Sequence, residues 1–306
     1  MITTASTERL ALFAEVAHYG SMTTAADILG YSVSAVSQQM RKLEREAGIA
    51  LIERHSRGIT FTDAGQAVIE HAKQIQGRLT SLHSTLDDIA GARRGNLKLA
   101  TFPTAGSSLA PLAISKFRSK HPDVTISVHS ARLTTLIDLL LNREIYMSLL
   151  WDYPWSRLSE PDLELKVLMD DRNDLVVPRS HPLADRTEVS MSELLDMDWV
   201  VRAGGHPNID VLIHAADRVG FQPTVAFRAN DYQEAQAFVA AGIGIALVPR
   251  LALSVLRDDV CAIPLVGDAP SRRIYLARLA GSEQTPAEVQ ITRSFQEAAL
   301  DLSLNS

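Results

Sequence analysis

Apolar residues near the start of the chain recur at helical spacing, and small or polar residues mark the ends of each helix. The first predicted helix, about residues 7–19, carries its apolar stripe at Leu10, Phe13, Ala14 and Ala17. Gly20 ends that helix, and Thr23 or Thr24 can cap a short second helix that runs to Leu29. A turn follows, and Ser32 is a suitable N-cap for a third helix.

The third helix, from Val33 to Ala47, has two faces of different chemistry. Its apolar stripe consists of Val36, Met40, Leu43 and Ala47. Its opposite face carries hydroxyl, amide and guanidinium groups at Ser34, Ser37, Gln38, Arg41 and Arg45. One face can dock on the first two helices, while the other matches the chemistry of base edges and phosphates in the major groove. This pattern predicts a helix-turn-helix, and the alternative is an amphipathic pair whose polar face meets only solvent.

The stretch ALIERHSRGITFTDAG, which comes next, predicts a small β-hairpin wing. A strand leads into a basic turn around residues 54–58, and the chain returns through Ile59, Thr60 and Phe61. Arg54, His55 and Arg57 at the tip would meet phosphates or the minor groove. Residues 31–60 contain five cationic and three anionic side chains, in a chain whose net charge is −6. This local excess of positive charge favours DNA contact here, although the whole chain is acidic.

The predicted DNA surface combines the polar face of the third helix, the wing and the adjoining helix starts. Its residues are Thr24, Ser32, Val33, Ser34, Ser37, Gln38, Arg41, Arg54, Arg57 and Thr62.

A long helix over about residues 63–90 carries a heptad seam. The seam consists of Val68, Ala72, Ile75, Leu79, Leu82, Leu86 and Ile89, spaced alternately four and three residues apart. A lone helix would expose this seam to water, so we expect it to pair with a second subunit. The alternative is that the seam packs on its own domain.

After the stretch GARRGN, residues 91–96, apolar runs typical of strands alternate with amphipathic helices. The predicted strands are LKLATF, VTISVHS, YMSLLW, LELKVLM, NDLVVP, DWVVRA, VAFRAN, GIALVP and RRIYLARL. Helices lie between several of them, including residues 207–219, 231–241 and 285–302. This alternation predicts an α/β fold with open, parallel-rich sheets.

Ligands of open α/β sheets bind beyond the carboxyl ends of the strands, where helix N-termini favour anions. By that rule the effector-binding candidates are Pro103, Thr104, Ser107, Trp151, Arg202, Gly204, His206, Asn230 and Asp231. Arg202 can clamp a carboxylate, which favours an anionic ligand. Taken singly, each residue is better explained by a turn or a helix cap, whereas together they predict a pocket.

The residues from Phe13 to Gly65, FAEVAHYGSMTTAADILGYSVSAVSQQMRKLEREAG and then LIERHSRGITFTDAG, resemble the N-terminal region of LysR-type transcriptional regulators. A short helix pair, a Ser-rich third helix, an Arg-bearing wing and a T-x-A-G start of a linker helix carry this resemblance. The rest of the chain matches the family's layout. Val33 stands where the family often has Gln, which removes one base contact.

The resemblance implies a winged helix-turn-helix domain over residues 1–61, a linker and dimerisation helix over 62–91, and an effector-binding domain over 92–306. That domain would have two lobes similar to periplasmic binding proteins, with the chain crossing between them near residues 161–166 and 264–272. Lobe one would hold residues 92–163 and 267–306, lobe two would hold 164–266, and a small molecule would bind in the cleft.

The family's function implies a sequence-specific transcription regulator with three kinds of partner. They are a double-stranded DNA operator, a small-molecule effector and further copies of the chain in a homodimer or homotetramer. RNA polymerase is a further partner that the resemblance leaves open. The rival hypotheses are a small-molecule binding protein without DNA binding and an α/β enzyme.

Composition and short motifs argue against membrane proteins, secreted proteins, metal proteins and enzymes. The chain has no apolar run long enough to cross a bilayer and no signal-peptide pattern, so we expect a cytoplasmic protein. The single cysteine, Cys261, cannot form an intrachain disulfide and argues against a Cys-rich metal site. Gly242-Ile243-Gly244 resembles the start of a dinucleotide fingerprint, but Leu247 occupies the third glycine's place. We therefore expect no enzymatic activity, no cofactor and no metal.

Overall fold

The computed structural model describes residues 6–55, 58–89, 96–203, 208–267 and 269–304. The chain forms two compact units: the first ends at Arg94 but also takes in the short segment Asp138–Ile145, and the second holds the remainder from Gly95 onwards. Each unit has its own hydrophobic core, so each is described separately.

The first unit consists of four helices and a β-hairpin. Its elements are α1 (Thr7–Tyr19), α2 (Met22–Leu29), α3 (Val33–Ala47), β1 (Ile52–His55), β2 (Gly58–Phe61) and α4 (Asp63–Ile89). The hairpin strands are antiparallel, with Ile52 opposite Phe61 and His55 opposite Gly58. The predicted helix-turn-helix, wing and long helix are therefore all present.

The core of the first unit comes from the apolar stripes that the sequence predicted. Phe13 of α1, Ala25 and Ala26 of α2, and Met40 of α3 are buried together. The two alanines let α2 approach its neighbours closely, because their side chains add little bulk. One prediction was wrong: α2 is capped by Ser21, whose hydroxyl accepts a hydrogen bond from the Thr24 backbone N–H at 3.3 Å, so Thr23 and Thr24 lie inside the helix.

Gly65 lets α4 pack against the start of the wing. A Cβ atom at this position would lie 2.2 Å from the Leu51 carbonyl oxygen. Thr62 fixes the same junction, because its hydroxyl donates to the Ala50 carbonyl at 2.8 Å and accepts from the Gly65 N–H at 3.0 Å. The T-x-A-G stretch is therefore a close backbone junction between hairpin and helix.

The second unit is an α/β domain of nine strands and six helices among the described residues. Its strands are β3 (Asn96–Thr101), β4 (Thr125–Ser130), β5 (Met147–Asp152), β6 (Leu163–Pro178), β7 (Asp198–Arg202), β8 (Thr224–Ala229), β9 (Ala246–Pro249), β10 (Val260–Pro264) and β11 (Ser271–Leu279). Its α-helices are α5 (Pro103–Gly106), α6 (Leu109–Lys120), α7 (Leu133–Leu141), α8 (Asn208–Asp217), α9 (Tyr232–Ala240) and α10 (Pro286–Leu304), of which α7 belongs to this unit only as far as Ile137.

The strands form two lobes that share the long strand β6. In lobe one, β3 pairs in parallel with β4 and β5, and β11 pairs antiparallel with β5 and with β6. In lobe two, β6 pairs antiparallel with β9 and β10, while β7 and β8 pair in parallel. The sheets are therefore mixed, and the expected parallel pairing holds for only part of each lobe.

The predicted lobe boundary at residue 163 was wrong. β6 remains paired with β11 from Leu163 to Arg172 and changes to β9 and β10 only from Asn173 onwards. The two strands predicted around residues 163–178 are one continuous strand. The polar residues between the two apolar runs, 170–172, remain paired with β11 through backbone hydrogen bonds. The chain returns from β10 to β11 between Pro264 and Ser271.

Candidate DNA interface and effector cavity

The helix α3 buries one face and exposes the other. Val36, Met40 and Leu43 are buried in the core of the first unit. The opposite face carries Ser34, Gln38, Arg41 and Arg45, which are exposed, and Ser37, which is half-buried. Ser32 caps the helix by accepting a hydrogen bond from the Ala35 N–H at 3.2 Å, and Val33 is exposed beside it.

Two ionic groups that the sequence reasoning missed hold α3 in place. Glu46 receives two hydrogen bonds from the Arg9 guanidinium of α1, at 2.8 Å and 3.1 Å. Glu44 accepts from the backbone N–H groups of Leu51 and Ile52 at 3.0 Å and 3.1 Å. The acidic residues near the end of α3 therefore fix its orientation against α1 and the wing, while its cations remain on the outer face.

The wing residues are described only in part. His55 faces Thr60 across the hairpin, with 2.9 Å between its Nε2 and the threonine hydroxyl. Arg57 and the side chain of Arg54 lie outside the described residues. Thr24 is exposed on α2, and the hydroxyl of Thr62 makes the two hydrogen bonds at the wing–α4 junction.

The predicted seam of α4 divides into two parts. Ala72 is buried in the core of the first unit, and Val68 and Ile75 pack against that core. Leu79 and Leu82, further along, are 43% and 53% exposed. The side chains of Leu86 and Ile89 lie outside the described residues. The first part of the seam therefore packs on its own domain, as the alternative expected, and the second part presents leucines to solvent.

The second unit contains a cavity of about 540 Å³ at the carboxyl ends of β3, β4 and β5 in lobe one and of β7 in lobe two. Its lining residues are Phe102, Pro103, Thr104, Ala131, Arg132, Leu133, Thr134, Trp151, Tyr153, Trp155, Ser156, Arg157, Leu158, Arg202, Asp210 and His214. This volume lies within the usual range for small-molecule sites.

Four of the predicted effector residues line this cavity: Pro103, Thr104, Trp151 and Arg202. Ser107, Asn230 and Asp231 do not line it. The Ser107 hydroxyl donates to the Thr104 carbonyl at 3.0 Å, and Asp231 caps α9 by accepting from the Glu234 N–H at 2.8 Å. Gly204 and His206 lie outside the described residues.

Sequence reasoning missed twelve of the sixteen residues that line the cavity. Arg132 follows the end of β4 and could have been found by the same strand-end rule that selected Arg202. Trp155 and Arg157 lie in the loop after β5, and Asp210 and His214 lie one turn apart on α8. No local pattern in the sequence marks these four residues, because only the tertiary structure brings the loop after β5 and the helix α8 to the same cavity.

The Asp152 carboxylate shapes the loop after β5. It accepts hydrogen bonds from the Arg157 guanidinium at 2.7 Å, the Leu158 N–H at 3.1 Å and the Tyr275 hydroxyl at 3.0 Å. Arg157 is therefore already paired. Arg202 donates to the Asn230 carbonyl at 3.3 Å and lies 5.4 Å from the centroid of the Tyr232 ring. Among the described residues neither Arg202 nor Arg132 has a carboxylate partner.

A fully buried ion pair lies behind the cavity wall. Arg272 of β11 contacts Asp171 of β6 at 2.8–2.9 Å and donates to the Thr104 hydroxyl at 2.7 Å. Its guanidinium also lies 5.0 Å from the Phe102 ring centroid. Asp171 accepts from the Leu251 N–H at 3.1 Å, so this one carboxylate connects a lobe-one strand to the turn that follows β9 in lobe two.

Burial sets the protonation tendencies around this pair. Removal from water raises the pKa of the Asp171 carboxyl, and the positive charge of Arg272 opposes that rise. Burial also raises the pKa of the Tyr153 and Tyr232 phenols. Both phenols therefore remain neutral near pH 7.

Gly242-Ile243-Gly244 has a structural role. Gly242 adopts a φ of +77°, and a Cβ atom at Gly244 would lie 2.5 Å from the Asp198 carbonyl oxygen of β7. Within the described ranges, no group of three or more His, Cys, Asp or Glu residues could hold a metal ion. No helix in the same ranges is both long and apolar enough to span a membrane.

Comparison with known proteins places both units in one family. The model of the bacterial regulatory helix-turn-helix protein, lysR family, matches residues 7–66, and the LysR substrate binding domain matches residues 90–299. The hydrogen peroxide-inducible genes activator of Dickeya chrysanthemi is 30% identical over 293 residues, which cover 95% of this chain and 93% of that protein.

Two further comparisons agree. The transcriptional dual regulator GltC of Bacillus subtilis is 30% identical over 243 residues, which cover 79% of this chain and 80% of that protein. The structure of full-length CbnR complexed with its target DNA matches with a TM-score of 0.69 at 24% identity, covering 96% of this chain and 99% of that chain. The chain therefore belongs to the LysR family and is a DNA-binding transcription regulator with an effector-binding domain.

Proposed function

We propose that α3 of this regulator lies in the major groove of double-stranded DNA, where Ser34, Gln38 and Arg41 contact base edges and phosphates. The observation that carries this proposal is the exposure of these side chains on the face opposite the buried stripe of α3. Among the described residues the Arg41 guanidinium has no hydrogen-bond or ionic partner. An exposed helix of this diameter fits the groove, and its amide and guanidinium groups match base-edge donors and acceptors.

The flanking residues complete the proposed surface. Ser32, Val33, Ser37 and Thr24 lie at or near the exposed starts of α2 and α3, from which they would reach the DNA backbone. Arg54 and Arg57 of the wing would bind phosphates or enter the minor groove. Thr62 serves this surface indirectly, because its hydroxyl is engaged at the junction that orients the wing.

We infer that α4 pairs two subunits through its second part. Exposed Leu79 and Leu82 support this, since two large apolar side chains one turn apart are poorly suited to solvent. A dimer would present two recognition helices to a near-palindromic site. A homotetramer built from two such dimers, and contact with RNA polymerase at the promoter, remain part of the proposal.

The effector is proposed to bind in the cavity between the lobes. Pro103, Thr104, Trp151 and Arg202 would contact it, with Gly204 and His206 following Arg202 in the chain. Ser107, Asn230 and Asp231 would act only by holding the cavity walls, through hydrogen bonds to Thr104, Arg202 and α9. The effector can change DNA occupancy only to the extent that it binds one arrangement of the protein more tightly than another.

The proposed setting is the cytoplasm, where a bacterial regulator meets chromosomal DNA. A response through an intrachain disulfide does not fit this chain, because its only cysteine is Cys261. The effector is therefore proposed to act by noncovalent binding.

The test is capture of genomic DNA fragments by the purified full-length protein, followed by titration of a captured fragment at several salt concentrations. We expect a site preference and an affinity that falls steeply with salt, as phosphate contacts require. A small-molecule binding protein without DNA binding would capture no preferred fragment and would show no salt-dependent affinity. That result would overturn the proposal.

A further inference from the structure

We propose that the cavity between the lobes selects a planar aromatic anion, such as an aromatic carboxylate. This inference rests on the proposed role of the cavity as the effector site, and it adds the chemical class of the ligand. Two independent features of the wall support it: a continuous set of aromatic rings and an excess of positive charge.

The aromatic wall extends across the cavity through successive ring contacts. Phe102 and Trp151 meet edge to face at 6.4 Å, and Trp151 meets Tyr153 in the same way at 5.7 Å. Tyr153 stacks on Trp155 at 4.8 Å, and Trp155 is 4.4 Å from the His214 ring. Trp155 remains 37% exposed. Phe102, Trp151 and Tyr153 are at most 7% exposed, so Trp155 offers most of the open ring surface. The ring contacts fix Trp155 before a ligand arrives, so a flat ligand can pack on it with little ordering cost.

The charge of the wall is positive. Three arginines, Arg132, Arg157 and Arg202, line the cavity together with one acidic residue, Asp210. Arg157 is neutralised by Asp152, whereas Arg132 and Arg202 have no carboxylate partner among the described residues. Arg132 comes from lobe one and Arg202 from lobe two, at opposite lobes of one cavity. A carboxylate between them would receive charge-assisted hydrogen bonds, which are stronger than neutral ones.

Other ligand classes fit this wall less well. Aromatic rings can also hold a cation, but Arg132 and Arg202, which have no carboxylate partner among the described residues, would repel it. A sugar-like ligand needs many neutral polar partners, and the lining offers few hydroxyl groups besides those of Thr134 and Ser156, since the Thr104 hydroxyl already accepts from Arg272. The combination of ring surface and cations therefore favours an aromatic anion.

Intrinsic fluorescence of the full-length protein gives a direct binding signal. The chain has three tryptophans. Trp151 and Trp155 line the cavity, whereas Trp199 is buried in a core of lobe two. Four probes separate ring from charge: benzoate is planar and anionic, benzamide planar and neutral, cyclohexanecarboxylate anionic but not planar, and benzylamine planar and cationic.

We expect benzoate to bind at least about tenfold more tightly than benzamide and benzylamine, the factor associated with one charge-assisted hydrogen bond. We also expect it to bind more tightly than cyclohexanecarboxylate, which keeps the charge but lacks the flat ring. Equal or tighter binding of benzamide or benzylamine would overturn the anionic part of the proposal. Equal or tighter binding of cyclohexanecarboxylate would overturn the aromatic part. No saturable response to any probe at millimolar concentration would overturn the ligand class altogether.

Arginine variants test the assigned contacts. Arg202→Gln and Arg132→Gln should each weaken benzoate binding about tenfold and leave benzamide binding unchanged. Arg118→Gln is the matched control, because Arg118 is exposed on α6 and does not line the cavity. If Arg202→Gln fails to fold, Arg132→Gln still decides the matter. Unchanged benzoate affinity in both variants would contradict the proposal.

Measurements on one preparation distinguish a failure of the ligand class from a failure of the proposed function. DNA titration of the preparation, with and without benzoate, reports regulation independently of the fluorescence signal. Intact DNA binding without a preference for benzoate rejects only the ligand class. If a broad thermal-shift panel of small molecules also gives no binding, the cavity's role as an effector site fails as well.

Discussion

At the residue scale, the proposed DNA surface depends on side chains that the fold leaves free. In α3 the acidic residues are engaged, Glu46 by Arg9 and Glu44 by the backbone of the wing. Arg41 is exposed and has no ionic partner among the described residues. Because the acidic side chains of α3 are engaged within the unit and the cationic ones are exposed, an acidic chain can present a cationic contact surface.

Arg41→Ala should weaken binding to a captured DNA fragment by about 1–3 kcal/mol, because it removes one base or phosphate contact. Fluorescence anisotropy with a labelled fragment measures the loss. A relaxed sequence preference would identify a base contact, whereas uniform weakening with a shallower salt dependence would identify a phosphate contact. Arg118→Ala is the control and should bind as the unchanged protein does. Unaltered affinity of the Arg41 variant would remove this residue from the interface.

A second residue-scale prediction concerns the junction of wing and α4. Gly65→Ala places a Cβ atom against the Leu51 carbonyl, so we expect a loss of roughly 1–3 kcal/mol from overpacking. All three tryptophans belong to the second unit, so circular dichroism should report a lowered transition while tryptophan fluorescence does not change. Gln66→Ala, an exposed neighbour on α4, should have little effect. Equal behaviour of the two variants would contradict the close packing.

Individual residues differ in how far the sequence could predict them. The polar face of α3 follows from spacing alone, because a helix of known period fixes which side chains share a face. Ser21 was missed as the cap of α2, since several hydroxyl residues in succession can all serve. Arg132 and Trp155 join the cavity wall only through tertiary structure. Asp231 looked like a binding residue and caps α9, because the two roles use the same residue type at the same strand end.

At the scale of elements, α4 combines two packing environments in one helix. Its first part belongs to the core of the first unit, and its second part exposes Leu79 and Leu82. The regular heptad spacing predicted one uniform seam. It could not distinguish the two parts, because apolar spacing records which face is apolar and not what covers it.

The double variant Leu79→Glu, Leu82→Glu should separate subunits that pair through α4. Burying each leucine contributes about 1.5–3 kcal/mol, so we expect the dimer dissociation constant to rise more than about a hundredfold. Sedimentation equilibrium over a range of concentrations measures it. Gln66→Glu, Gln74→Glu adds the same charge at exposed polar positions of the same helix and should leave the mass unchanged. A variant that retains the assembly would show that α4 pairs differently or not at all.

The strand β6 shows where element boundaries escape prediction. Its polar middle divides two apolar runs, so the sequence predicts two strands and an early lobe boundary. The backbone ladder with β11 continues through those polar residues as far as Arg172. Ladder bonds join backbone groups, and the apolar pattern therefore does not record them.

At the scale of the whole second unit, the two lobes are joined by β6 and by the return into β11, and a buried network lies where these strands meet. Asp171 and Arg272 are both 0% exposed, and together they contact Thr104 in the cavity wall and Leu251 in lobe two. Arg250 and Asp174 form a second, partly buried pair beside them, at 2.9 Å. The wall of the cavity and the lobe junction thus share one set of hydrogen bonds.

Arg272→Met should destabilise the second unit by about 3–5 kcal/mol, because it leaves the Asp171 carboxylate buried without its partner. Urea unfolding followed by tryptophan fluorescence measures this unit, where all three tryptophans lie. Adding Asp171→Leu should recover most of the loss, since a buried ion pair can be replaced by apolar side chains at little cost. The neighbouring pair, Arg273 and Asp170, is exposed, so Arg273→Met is a matched control that should unfold as the unchanged protein does. If Arg272→Met were as harmless as this control, or if the double variant were no more stable than the single one, the buried pair would not stabilise this junction.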